Sequence, residues 1–193
     1  MQSGGSRSGH KSLRPAFLSN RNFESHYNVP CTLRAFAIIQ NAISDASLIV
    51  AGDGPEREAI HNLAAKLGLK NIDFVGKLQP EDMPALYDKA DVYLNSPSID
   101  NMPNSIIEAF ACGLPVVSTN AGGIPYIVEH EMTGLPVGVD DHEALAREAL
   151  RLFGEIGLAD SLIAAAREEV QKYTWQNVRG EWLRTYRELA GRQ

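Results

Sequence analysis

Cysteine is scarce. Cys31 and Cys112 stand far apart in apolar surroundings without Cys-x-x-Cys spacing, which argues against a disulfide scaffold or a zinc site and reads as two reduced thiols in a cytoplasmic protein. Long apolar runs are missing too. The longest, such as SLIVAG at 47–52, have the length of a strand, so the sequence offers no transmembrane span. The first fourteen residues, MQSGGSRSGHKSLR, hold no apolar run of the kind a signal peptide needs and read as a flexible arm or a cloning remnant. Blocks of one charge are absent: 18 Lys and Arg against 24 Asp and Glu leave a net charge of −6 spread along the chain. That balance argues against a nucleic-acid or membrane-surface footprint, so any phosphate must be bound locally. The histidines at 10, 26, 61, 130 and 142 show no pairing that suggests a metal site or a triad, and only His26 lies in a loop of interest.

What is present is alternation. Short β-type runs, PAFLS (15–19), SLIVAG (47–52), NIDFVG (71–76), DVYLNS (91–96), LPVVST (114–119) and GLPVGV (134–139), are separated by helical patterns such as VPCTLRAFAIIQNA, PEREAIHNLAAKLG, PEDMPALYDKA and SIIEAFACG. Strands apolar on both faces, each followed by a helix, predict a doubly wound, Rossmann-like α/β domain: a parallel sheet with helices on both faces. From about Asp141 the pattern is helical only, ending in TWQNVRGEWLRTYRELAG with Trp175, Val178, Trp182, Tyr186 and Leu189 at three- and four-residue spacings. This all-helical tail is expected to pack on the sheet domain or to lie across to a partner domain. Residues 15–193 therefore read as one domain.

Ligands of an open parallel sheet bind beyond the carboxyl ends of its strands, which selects the loops after Ser19, Ala51, Val75 and Asn95. The Gly-rich GDGP at 52–55 reads as a tight turn rather than a phosphate cradle. It lacks a GxGxxG continuation, Pro55 removes a donor, and Glu56 and Glu58 already place negative charge at that helix start. In SIDNMPNSIIEAFACGLPVVST (98–119), Asp100 and Glu108 stand eight positions apart. Two readings are open. Ser105 and Glu108 fit a capping box, in which Glu108 folds back onto the helix start. Alternatively, the amides of Asn104 and Ser105 meet a diphosphate at the positive end of the helix while the two acids hold hydroxyls on either side of it. A ligand with two hydroxyl clusters separated by a diphosphate is a nucleotide sugar.

The runs AGDGPEREAI, DFVGKLQPEDMPALYDKADVYLNSPS and IIEAFACGLPVVSTNAGGIPYIVEHEMTGLPV resemble the donor-binding C-terminal domain of retaining GT-B glycosyltransferases, the glycosyl transferases group 1 family, over roughly residues 15–190. That family marks its site with Glu, seven residues, Glu. Here the spacing is kept and the first acid is Asp100. The resemblance implies that Glu108 accepts hydrogen bonds from ribose hydroxyls and Asp100 from hydroxyls of the transferred sugar, and that this pair carries the chemistry. It also implies that Arg21 and the turn Asn101, Met102, Pro103, Asn104 and Ser105 meet the diphosphate, and that Lys77 and Leu78, beyond Gly76, lie against the base. No metal or other cofactor is expected, and the Gly122-Gly123 loop reads as a turn needing permissive backbone.

Two departures stand out. Asn101-Met102-Pro103 replaces the usual Gly-aromatic-Gly turn, and Pro103 has no amide to donate. In the first loop, SNRNFESHYNV keeps Arg21 but has Tyr27 and Asn28 where Lys-Gly is usual, a loss of one charged donor worth about 1.5–3 kcal/mol. The resemblance further implies a separate N-terminal, acceptor-binding Rossmann-like domain, in the parent protein or a second subunit, and a chain inactive by itself. It places the enzyme in the cytoplasm, peripheral to the inner membrane through that domain. The alternatives are a non-catalytic nucleotide-sugar-binding module or relic and, against the motif, a nucleotide-sugar epimerase relative.

Overall fold

The computed structural model describes residues 13–190; residues 1–12, read above as part of an arm, and 191–193 lie outside the described residues. Six strands, β1 (Ala16–Asn20), β2 (Ser47–Ala51), β3 (Ile72–Gly76), β4 (Val92–Asn95), β5 (Val116–Thr119) and β6 (Leu135–Val137), form one parallel sheet in the order β3-β2-β1-β4-β5-β6. This is the doubly wound arrangement expected from the alternation of elements. Its direction of winding reverses between β1 and β4, where Phe17 pairs with Val92 and Leu18 with Tyr93.

Successive residues of a strand face opposite sides, so each strand feeds two cores. One contains Phe17, Leu48, Val50, Val92 and Val117 and is covered by α1 (Val29–Ala42), α2 (Arg57–Lys66) and α5 (His142–Gly154). The other contains Leu18, Tyr93 and Val116 and is covered by α3 (Met83–Tyr87) and α4 (Asn104–Cys112). Helix α6 (Leu158–Val170) joins both, with Leu162 in the first core and Ala166 in the second. Cys31 is buried in α1, and burial, with the charge of Asp140, pushes its thiol up to about 12.

The differences from the sequence reading have local causes. The helix expected through PEDMPALYDKA splits into a 3-10 turn at Pro80–Asp82 and the short α3, because a proline near the start of each piece fits only a first turn. Arg14, placed in the arm by the sequence, is fastened: its guanidinium donates to both carboxylate oxygens of Asp91, each at 2.9 Å. The tail divides as well. Helices α5 and α6 pack on the domain, whereas α7 (Trp175–Ala190) buries no residue and leaves Trp175, Trp182, Leu183, Tyr186 and Leu189 exposed.

Candidate functional site

The site is assembled where the winding reverses, at the carboxyl ends of β1 and β4. A ladder of short polar side chains ties down the loop leaving β4. Ser96 Oγ donates to the Asn28 carbonyl at 2.8 Å and lies 2.7 Å from Thr32 Oγ1, Thr119 Oγ1 donates to the Pro97 carbonyl at 2.6 Å, and the Ser98 amide donates to His26 at 2.8 Å. The Gly123 amide then donates to the Asp100 carbonyl at 2.9 Å. Gly122 adopts φ +54°, and a Cβ there would sit 2.0 Å from the Asp100 carbonyl oxygen. The turn reading of Gly122-Gly123 is therefore incomplete: the glycines also let two backbones touch and fix Asp100.

Arg21 follows β1 directly and is 9% exposed. Its Nη2 donates to Asp100 Oδ2, its Nη1 donates to Ser105 Oγ at 2.9 Å, and its Cζ lies 4.0 Å from the centroid of the Tyr27 ring. Tyr27, which stands where a lysine was expected, gives the guanidinium an aromatic face to rest on. The expected phosphate donor and the expected sugar-binding acid are thus paired with each other. Nε of Arg21 and Oδ1 of Asn20 and of Asn95 are buried without a hydrogen-bond partner, all at the ends of β1 and β4.

The capping-box reading of Ser105 and Glu108 is overturned. Helix α4 starts at Asn104 with Pro103 as its N-cap and no side-chain cap, so Ser105 lies inside the first turn and its hydroxyl accepts from Arg21. Glu108 does not fold back onto the helix start. Its Oε2 accepts a hydrogen bond from the Tyr87 hydroxyl at 2.8 Å, and Tyr87 in turn accepts from Asn20 Nδ2 at 2.9 Å. Tyr87 is 1% exposed, and burial, together with the neighbouring Tyr93 and the Glu108 charge, pushes its hydroxyl far above the ordinary tyrosine range. Neither Tyr87 nor Asn20 carried a sequence signal, since both read as ordinary residues of a helix and a strand end.

The remaining expected residues are spread over the mouth. Asn101, Met102 and Asn104 are exposed while Pro103 is buried. Lys77 lines an open groove of about 460 Å³ with Asn22, Asp53 and Gly54, whereas Leu78 turns its side chain onto the second core. GDGP acts as backbone support for the first loop: Phe23 donates to the Asp53 carbonyl and Glu56 donates to the Phe23 carbonyl, both at 3.0 Å. A Cβ on Gly52 would meet the Arg21 carbonyl oxygen at 2.1 Å, so this tight turn serves Arg21 by lying against it. Among the described residues no group of three or more His, Cys, Asp or Glu is placed to hold a metal, and no helix is long and apolar enough to cross a membrane.

Comparison with known proteins agrees with this architecture. The chain is 32% identical over 150 residues to the N-acetyl-alpha-D-glucosaminyl L-malate synthase of Bacillus anthracis, covering 77% of this chain and 39% of that protein. Among solved structures, the sucrose-phosphate synthase of Thermosynechococcus elongatus superposes with a TM-score of 0.84 at 27% identity, over 93% of this chain and 46% of that one. Anabaena HepE in complex with UDP-glucose superposes with a TM-score of 0.82 over 90% of this chain and 48% of that one, at 20% identity, a likeness of fold. The chain thus spans about two fifths to one half of the length of these relatives. The profile of the family described as glycosyl transferases group 1 matches residues 6–169, most of the chain and every loop around Arg21, Asp100 and Glu108, and the protein belongs to that family.

Proposed function

We propose that this chain is the donor-binding domain of a retaining glycosyltransferase, which binds a nucleoside diphosphate sugar for transfer of a hexosyl unit to an acceptor. The observation that carries the reading is the convergence of a buried guanidinium, the N-terminus of α4 and two carboxylates at the point where the sheet reverses its winding. HepE, whose fold this chain shares, has been seen with UDP-glucose.

Each group has a task in this reading. Arg21 supplies a two-pronged cationic donor to the diphosphate, helped by the amides of Asn104 and Ser105 at the positive end of α4. The turn Asn101-Met102-Pro103 shapes the passage between the two acids. Glu108 accepts from ribose hydroxyls, Asp100 from hydroxyls of the transferred sugar, and Lys77 and the backbone at Leu78 border the base in the open groove. Arg21 and the helix terminus meet the diphosphate charge in place of a metal ion. Transfer with retention then has the acceptor hydroxyl approach on the face the diphosphate leaves, where a phosphate oxygen takes its proton. The acceptor pocket belongs to an N-terminal Rossmann-like domain, and the exposed aromatic face of α7 is where that domain lies. A cytoplasmic location, with attachment to the inner membrane through the acceptor-binding domain, completes the proposal. A non-catalytic nucleotide-sugar-binding module is the second reading, favoured by Tyr27 standing where the lysine was expected.

Calorimetry with UDP, GDP and ADP, with and without EDTA, tests this. At least one nucleoside diphosphate is expected to bind, unaffected by EDTA. No binding of any of the three defeats the donor-site reading, and strict dependence on magnesium defeats the metal-free assignment. Sugar transfer by this chain joined to an N-terminal acceptor-binding domain separates the enzyme from the binding module.

A further inference from the structure

We propose that Tyr87 is the positioning residue for Glu108: its hydroxyl holds one carboxylate oxygen, so that the other is presented to the cleft for a ribose hydroxyl. The inference rests on the reading of Glu108 as the ribose-binding acid and adds the residue that makes this acid effective.

Glu108 lies on an exposed face of α4. A glutamate in that position samples many rotamers, and a ligand that needed one of them would bear the cost of selecting it. Here the cost is met in advance. Tyr87 closes α3, its ring is fully enclosed by the second core, and its hydroxyl is fixed from behind by the Asn20 amide. Of its two acceptors, the Ser105 carbonyl at 3.1 Å and Glu108 Oε2 at 2.8 Å, the charged and nearer one takes the single hydroxyl proton. Burial and the Glu108 charge keep the hydroxyl protonated wherever the carboxylate is ionised, so the donor persists. The chain Asn20 to Tyr87 to Glu108 therefore runs from the end of β1 to the first turn and a half of α4, the two elements that flank the reversal of the sheet.

A bond that merely joined α3 to α4 would affect all ligands alike, and this separates the two roles. The full chain is titrated with whichever of UDP, GDP or ADP binds and with its 2′,3′-dideoxy counterpart. The wild type is expected to prefer the ribose form. Tyr87→Phe should weaken the ribose form about three- to tenfold and leave the dideoxy form unchanged, as loss of one hydrogen bond acting through Glu108 requires. Adding Tyr87→Phe to Glu108→Ala, which leaves the hydroxyl no acceptor at 108, should then cost nothing further. Asn20→Ser, which loosens the hydroxyl from behind without touching the core, should shift the same ratio in the same direction and serves if Tyr87→Phe does not fold. An unchanged ribose-to-dideoxy ratio in the folded variants overturns the positioning role while the site reading stands. A wild type that binds both forms equally overturns the reading of Glu108, and the proposal with it.

Discussion

A guanidinium that is nine-tenths buried needs a counter-charge, and Arg21 has found one in Asp100. On the proposed reading both residues serve the donor, one its diphosphate and the other its sugar, and the two are paired with each other. A diphosphate that takes the Nη2 edge of Arg21 displaces Asp100, and by doing so releases the acid for the sugar hydroxyls. Binding of the two parts of the donor is then coupled through a single ion pair. Asp100→Asn weakens the competitor while keeping its shape, so nucleoside diphosphate affinity should rise by about tenfold, the worth of one charged hydrogen bond at the low end. The same change leaves a buried cation poorly paired. The unliganded variant should therefore melt below the wild type, and nucleoside diphosphate should raise its melting temperature by more. Calorimetry and thermal melts check both, and a fall in affinity would show that Asp100 orients Arg21 for the phosphate instead of competing with it.

At the scale of elements, the sheet and its winding were legible because strand-length apolar runs separated by amphipathic ones admit few other arrangements. The acid pair was legible as a pair. Its geometry was not: spacing alone left a capping box of Ser105 and Glu108 open beside the ligand reading, and the tertiary contact that draws Glu108 to Tyr87 joins residues 21 positions apart in sequence. The Gly122-Gly123 loop shows the same limit. A turn can be read from two glycines, whereas the backbone they touch cannot. Because a side chain at 122 would require the left-handed region and would collide with the Asp100 carbonyl, Gly122→Ala should cost about 2–4 kcal/mol of stability and move Asp100. Urea unfolding measures the first effect. Loss of the preference for a nucleotide sugar over its nucleoside diphosphate measures the second. Gly154, around which a new Cβ would meet nothing within 4 Å, is the control.

On the scale of the whole molecule, the unusual element is α7. The sequence gives it the three- and four-residue apolar spacing of a helix that packs, and the same spacing buries α5 and α6, yet Trp175 remains 67% exposed, Trp182 55% and Tyr186 60%. Pattern alone says that a helix has an apolar face and not what covers it. On the proposed function the cover is the acceptor-binding domain. In the isolated chain, Trp182→Ser and Tyr186→Ser should then each change stability by no more than about 0.5 kcal/mol, as exposed substitutions do, and both tryptophans should be open to acrylamide quenching. With the proposed acceptor-binding domain joined to the same chain, Trp182 should become shielded from the quencher, and Trp182→Ser should lower stability by more than in the isolated chain. Transfer should follow the same division: the isolated chain binds nucleoside diphosphate but moves no sugar, and the two-domain protein does both. A Trp182 that stays equally quenchable in the two-domain protein would place the acceptor-binding domain elsewhere, and transfer by the isolated chain would mean that the acceptor is bound by residues of this domain after all.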